Sequence, residues 1–193
     1  AIGHYALQQN TTGGSNVAVG SFALDANTTN SFNTAVGYNA LTTSNGANAN
    51  AAVGYQAMRL STTGNNNTSV GYESLYSTTT GSNNVALGVN ALYSNTTASE
   101  NTAVGANALY DNSTGTSNVA VGRMALGNNT TASGNTALGT DAMFTSTTGS
   151  ENTSVGHNSM FANTTGGKNT AVGGYALDAN TTGDNNVAFG YYA

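Results

Sequence analysis

Hydrophobic and polar positions repeat along the whole chain with a fixed spacing of 17 residues. Each repeat contains a short run such as Asn-Thr-Ala-Val-Gly, a Leu or Met four residues after the glycine, and a polar stretch such as Asn-Thr-Thr-Gly. The run alternates with period two and is bracketed by turn residues. This pattern predicts a short β-strand in every repeat.

The glycine that ends the run, here called the marker glycine, sets the register of the chain. It occurs from Gly3 to Gly190 with no insertion or deletion between successive copies. Because connecting loops tolerate changes of length, the strict spacing indicates that every repeat occupies the same physical slot. We therefore expect residues 1–193 to form a single continuous array of about eleven coils, as a segment of a longer fibre.

A repeat of 17 residues is too short for a pair of helices, which needs about 33 residues. Gly, Asn and Thr are also poor helix formers. Two or three short strands joined by tight turns would fill the repeat. The sequence thus predicts an all-β fold, a parallel β-solenoid or β-roll, whose coils stack at ~4.8 Å and extend for roughly 53 Å.

Aligning the repeats turns each position into a column of equivalent residues. We expect the Val column, one residue before the marker glycine, and the Leu/Met column, four residues after it, to point inward. We expect the two Ala/Ser columns, two residues before and three residues after the marker, to lie on a packed outer face, since a solvent-facing position has no need to exclude large side chains. Two large apolar residues per coil make a thin interior for a lone chain, so we expect a homotrimer or another homo-oligomer.

An asparagine stands four residues before the marker glycine in every repeat, and we call this set the Asn column. Asn suits turns, and stacked amides can bond from coil to coil. We interpret the column as structural, with a ligand-binding row as the alternative. Its members are Asn16, Asn33, Asn50, Asn67, Asn84, Asn101, Asn118, Asn135, Asn152, Asn169 and Asn186.

Composition narrows the classes of function. The chain has three Lys and Arg residues against eight Asp and Glu residues, with a net charge of −5, which does not favour binding to a nucleic-acid backbone. It has no Cys, so it has no disulfide or thiolate metal site. No apolar run reaches the ~20 residues of a membrane span.

The residues suited to catalysis are scattered. His4 and His157 occupy the same coil position nine repeats apart, which corresponds to roughly 43 Å. Glu100 and Glu151 are three repeats apart, about 14 Å, whereas paired glycosidase carboxylates need roughly 5–9.5 Å. We therefore predict a protein that is not an enzyme, with no catalytic residues, no cofactor and no metal site.

Aromatic residues form two partial columns, one and five residues after the marker glycine. We take them as candidate contacts for a glycan or a partner protein; the alternative is that they cover grooves between chains or pack over strand edges. They are Tyr38, Tyr55 and Tyr72 in the first Tyr column, and Tyr76, Tyr93, Tyr110, Phe144 and Phe161 in the second Tyr column, which Gly127 interrupts.

The Asn-Thr-Thr stretches admit three interpretations. They are sequons for glycosylation in a secretory host, or a turn followed by a Thr ladder. Regular Thr ladders on a charge-poor surface also raise the alternative of a flat Thr/Asn face that recognises ice or polysaccharide, although only one Thr of an adjacent pair can face outward in a strand. The sequons are Asn10, Asn27, Asn95, Asn112, Asn129, Asn163 and Asn180.

The motifs "SNVAVGSFAL", "NNVALGVNAL" and "NTAVGANAL" resemble the head repeats of YadA-like trimeric autotransporter adhesins. They are also similar to the repeat shafts of phage-type tail fibres that carry a C-terminal intramolecular chaperone. The resemblance implies a left-handed, trimeric β-roll in an extracellular fibre, on a cell surface or a virion tail, that contacts a host glycan or protein receptor. The adhesin coil is shorter than 17 residues, so the added Asn-Thr-Thr segment must form a longer turn or an extra strand.

Overall fold

The computed structural model describes all 193 residues, and its only regular elements are eleven β-strands of three residues each. One strand forms at the same place in every coil, where β-branched residues precede the marker glycine. The strands are β1 (Val17–Val19), β2 (Thr34–Val36), β3 (Ala51–Val53), β4 (Thr68–Val70), β5 (Val85–Leu87), β6 (Thr102–Val104), β7 (Val119–Val121), β8 (Thr136–Leu138), β9 (Thr153–Val155), β10 (Thr170–Val172) and β11 (Val187–Phe189).

The strands form one parallel sheet in the order β1 to β11. Each residue pairs with the residue one repeat further along, as Ala103 does with Ala120. This register confirms the predicted parallel β-solenoid with 17-residue coils. Ten coil-to-coil steps separate β1 from β11, which corresponds to about 48 Å.

Each coil contains one strand and not the two or three that the sequence suggested. The rest of the coil is a succession of turns in which φ is positive at the second and fourth residues after the marker, such as Asn107 and Leu109. These two residues donate backbone hydrogen bonds in opposite directions, Asn107 to Val89 of the preceding coil and Leu109 to Ala125 of the following coil. Only 20 of the 127 backbone hydrogen bonds lie within strands, so the turns also link the coils.

The marker glycines occupy a corner at which a side chain would not fit. Gly88 has φ of +143°, and a Cβ atom built there would lie 2.5 Å from the carbonyl oxygen of Gly105 in the next coil. Positive φ and the close approach of the next coil's backbone explain why glycine is invariant at this position.

The Leu/Met column fills the interior as predicted, and Leu92 and Leu109 are fully buried. The expectation for the strand faces was wrong. Ala103 and Ala120 are fully buried, whereas Val121 keeps 37% of its surface exposed. The two Ala/Ser columns and the Leu/Met column form one buried cluster. The coil is so flat that only a small side chain fits between the strand and the opposite wall.

Two coils show this close approach directly. Ser69 Oγ donates to the carbonyl of Ser74 at 2.9 Å, and Ser154 Oγ donates to the carbonyl of Ser159 at the same distance. In each pair, one serine belongs to the strand and the other to the opposite turn. The two Ala/Ser columns therefore face each other across the interior, where a larger residue in either column would separate the walls.

Candidate functional site

The first Tyr column forms an exposed stack on the solenoid surface. The rings of Tyr38 and Tyr55 are 5.5 Å apart with an angle of 15° between their planes. Those of Tyr55 and Tyr72 are 5.1 Å apart with an angle of 7°. Because the coil spacing of ~4.8 Å is close to a favourable ring separation, identical positions in successive coils produce stacking.

The second Tyr column forms a longer, half-buried stack. The ring of Tyr93 lies 5.1 Å from that of Tyr76 and 5.2 Å from that of Tyr110, nearly parallel to both. Arg59 extends the column at one end, since its guanidinium donates to the Tyr76 hydroxyl at 2.7 Å. Phe144 and Phe161 continue it beyond Gly127 with a ring separation of 5.6 Å.

One tyrosine in each column has a raised pKa. Burial raises the pKa of Tyr93 above its ordinary value of 10.0, and the nearby Glu73, Tyr110 and Tyr76 raise it further. Desolvation also raises the pKa of Tyr72, with a hydrogen bond to Glu73 as the next cause. Both shifts favour the neutral form of the tyrosine. That the two columns contact a glycan or a partner protein stays a prediction.

The Asn column lies inside the solenoid, and nine of its eleven members are buried. The Oδ1 atom of Asn101 accepts from the backbone amide of Asn118 at 3.0 Å, and its Nδ2 donates to the carbonyl of Gly115 at 2.9 Å. The same pair of bonds recurs from coil to coil. These side chains bond mainly to the backbone and do not form a surface row for a ligand.

A second ladder runs seven residues after the marker glycine, and we call it the second Asn column. It holds all seven of the sequon asparagines. Asn129 Nδ2 donates to Asn112 Oδ1 at 2.8 Å and to the carbonyl of Ala132 at 3.1 Å. Five of the seven sequons have fully buried asparagines, namely Asn27, Asn95, Asn112, Asn129 and Asn163. A glycan on Nδ2 would require that buried amide to leave the interior, so the structure favours a structural role at these five positions.

The adjacent threonines of the Asn-Thr-Thr stretch differ in their hydrogen bonding. The first donates its hydroxyl to the backbone of the next coil, as Thr96 does to Ser113 at 3.1 Å. The second is exposed throughout and forms a single surface row, which we call the Thr file; Gly46 is its one interruption. Its members are Thr12, Thr29, Thr63, Thr80, Thr97, Thr114, Thr131, Thr148, Thr165 and Thr182.

Short polar side chains eleven residues after the marker form a further ladder that the sequence analysis missed. The backbone amide of Ser133 donates to Ser150 Oγ at 3.1 Å, and that of Gly167 donates to Asp184 Oδ1 at 2.7 Å. A signal existed in the sequence, because this position holds Ser, Asn, Thr or Asp in nine of eleven repeats.

The titratable residues are distributed along the rod. His4 packs beside Tyr5 and Phe22 near one end, whereas His157 contacts Tyr175 near the other. Burial raises the pKa of Asp25, but no three His, Asp or Glu side chains come together as a metal-binding group. Arg123 and Asp141 form a surface ion pair at 2.7 Å. The absence of a catalytic, cofactor or metal site stays a prediction.

No protein-family model, curated protein or solved structure matches this chain. None of its segments forms a helix long and apolar enough to cross a membrane. The surface geometry therefore carries the functional argument.

Proposed function

We propose that this chain is a structural and adhesive repeat segment of an extracellular fibre, either a surface adhesin or a tail-fibre shaft. The observation that carries the proposal is the unbroken register of eleven strands, which makes a uniform rod with the same 17-residue coil at every step. Such a rod can hold a contact surface away from the base of the fibre and can present that surface repeatedly along its length. The resemblance of the sequence motifs to YadA-like heads and tail-fibre shafts points to the same role.

The outer face of the sheet is the surface through which copies of the chain would assemble. The Val column lies there, and Val53, Val70, Leu87, Val121 and Leu138 each expose between 36% and 41% of their surface. Continuous apolar rows of this kind mark interfaces in soluble proteins. We place the contact of a homotrimer, or of another homo-oligomer, on this face, since the Ala/Ser columns are inside the coil.

The assembly is tested with the double variant Val121→Lys, Leu138→Lys. We expect the wild-type chain to be oligomeric by sedimentation equilibrium, and the variant to be monomeric with an unchanged β circular-dichroism spectrum. The matched control is Thr114→Lys, Thr131→Lys, which places two lysines in the same two coils on the Thr file and should remain oligomeric. A folded wild-type monomer at micromolar concentration would contradict the proposed assembly.

The adhesive role is tested by binding of the labelled chain to a glycan array and to a panel of cell-surface proteins. We expect the triple variant Tyr38→Ala, Tyr55→Ala, Tyr72→Ala or its counterpart in the second Tyr column to lose binding while remaining folded, because these rings are outside the core. Absence of binding to both panels by the assembled wild type would argue for a purely structural shaft.

A second candidate function is recognition of ice or polysaccharide by the Thr file. The observation that favours it is the row of exposed threonines at successive coil steps. The test is thermal hysteresis of the chain and of the variant Thr97→Tyr, Thr131→Tyr, Thr165→Tyr, since the preceding threonines use their hydroxyls within the fold. Hysteresis lost in this variant, but kept when Thr136 on the sheet face becomes Tyr, would favour this function over the fibre.

A further inference from the structure

The second Tyr column has a gap one side chain wide. Tyr110 and Phe144 stand on either side of Gly127, which contributes no side chain to the column. A recess of about 390 Å³ opens at this place, the larger of two recesses on the molecule. Its volume falls in the range of small-molecule sites, about 300–1,000 Å³.

Aromatic surfaces bound the recess on two sides. Tyr110 and Phe144 belong to coils two steps apart, about 9.6 Å, and Tyr110 has a stacked neighbour only on the side of Tyr93. Phe144 leans over the gap: its plane makes an angle of 24° with that of Phe161. A Cβ atom on Gly127 would lie 3.0 Å from the Phe144 ring. The gap is therefore a tapered slot between one ring face and a tilted second ring.

The rim of the slot is polar except at Met124. Asn90 and Asn107 line it on the side of the turn nearest the marker glycine, and Asp111 and Asn128 line it on the other side. The Oδ1 atom of Asn90 is buried without a hydrogen-bond partner. Three amides and a carboxylate offer donors and acceptors on both sides of an aromatic slot.

We propose that this slot binds a single pyranose ring of a carbohydrate. The C–H face of a sugar stacks on an aromatic ring, and its hydroxyls pair with amide and carboxylate groups. A flat aromatic ligand would fill the slot but make no hydrogen bonds to the polar rim, whose exposed groups would keep water as their partner. The inference rests on the proposed adhesive role, for which it names the ligand class, but its test does not depend on assembly.

The test is saturation-transfer NMR on the full chain with methyl α-glucopyranoside, methyl β-galactopyranoside and N-acetylglucosamine as probes. We expect at least one sugar to bind in the millimolar range and the signal to disappear in Gly127→Tyr. Gly127 is not among the residues with positive φ, so its backbone conformation allows a tyrosine. The Phe144 ring, 3.0 Å from the Cβ position, must shift slightly, after which the new ring occupies the slot. Failure of all three sugars to bind at tens of millimolar would overturn the proposal.

Further variants locate the site and identify its ligand class. Tyr110→Ala should weaken binding at least tenfold and Asp111→Asn should weaken it measurably, whereas Phe32→Ala, a control at an exposed aromatic residue outside both Tyr columns, should have no effect. Sugar binding retained in both Gly127→Tyr and Tyr110→Ala would overturn the location, and binding of indole without any sugar would overturn the ligand class. Sedimentation of Gly127→Tyr should match the wild type, which separates failure of the slot from failure of the fibre assembly.

Discussion

Two columns of buried asparagine run side by side through this molecule, and they differ in what they bond. Asn101, in the Asn column, satisfies two backbone groups one turn further along the chain: the carbonyl of Gly115 and the amide of Asn118. Asn112, in the second Asn column, donates to the carbonyl of Gly115 only three residues ahead, and otherwise bonds to the side chains of Asn95 at 3.3 Å and Asn129 at 2.8 Å.

The two columns also differ in how strictly the residue is kept. The Asn column holds asparagine in all eleven coils, whereas the second holds Ser or Thr in four of its eleven positions. The hydroxyl oxygens of Ser44, Ser61 and Ser146 are buried there without a partner. A side chain that hydrogen-bonds to two backbone groups of the next coil has no substitute. A side chain that hydrogen-bonds to a single nearby carbonyl can be replaced at a moderate cost in stability.

The largest effect is expected for Asn101→Ser. The shorter side chain cannot reach the amide of Asn118, and a buried donor left without a partner costs about 1–3 kcal/mol. The bond to the carbonyl of Gly115 is also lost, although Asn112 still donates to that carbonyl, so we expect the free energy of unfolding in urea to fall by about 3 kcal/mol. A fall no larger than that of the paired variant Asn112→Ser would remove the distinction between the columns.

The paired variant Asn112→Ser makes the same chemical change in the second Asn column. It loses the side-chain bonds to Asn95 and Asn129 and one bond to the carbonyl of Gly115. Because Asn101 still donates to that carbonyl, no backbone group is left without a partner, and we expect a loss of about 1.5 kcal/mol in the same titration. Loss of the cooperative transition, or of the β circular-dichroism spectrum, would contradict the tolerance inferred from Ser44 and Ser146.

The reverse change, Ser61→Asn, should stabilise the fold. The added amide can donate to the carbonyl of Gly64, as the equivalent Asn10 does to Gly13 at 3.0 Å. We expect a gain of about 1 kcal/mol in the free energy of unfolding, measured against Thr63→Asn in the exposed Thr file as the control. A destabilised variant would mean that the serine coils are too narrow for the amide.

The smallest effect on stability is expected on the outer surface, where the rings of the Tyr columns stack from coil to coil but make no hydrogen bonds to the backbone. Because the folded-state pKa of Tyr93 is raised above 10.0, its contribution to stability is complete below the unfolded pKa and is lost as pH rises through the folded pKa. Tyr93→Phe should leave the urea midpoint unchanged at neutral pH and make its decline above pH 10 shallower. An equal decline in both proteins would exclude a role for this tyrosine.

Some features of the site could be predicted from the sequence because an exact period places equal residues in equal environments. The Tyr76, Tyr93 and Tyr110 stack follows from spacing alone, and so does the gap at Gly127. The depth of that gap did not follow, because it depends on the turn that brings Asn90 and Asp111 to its rim. The serine pairs in the sequence indicated that the two Ala/Ser columns face each other, because Ser69 and Ser74 replace alanines in the same coil, as do Ser154 and Ser159. The sequence analysis did not use this indication.

The sequence by itself determined the period, the parallel register, the invariant glycine corner and the inward Leu/Met column, since each depends on a position repeated without exception. The tertiary structure decided which face of the strand is inside. Alternation shows that Ala103 and Val104 point in opposite directions, but not which of them meets the opposite wall. That depends on the thickness of the coil, where buried Ala faces buried Ala and β-branched side chains are left outside on the sheet face.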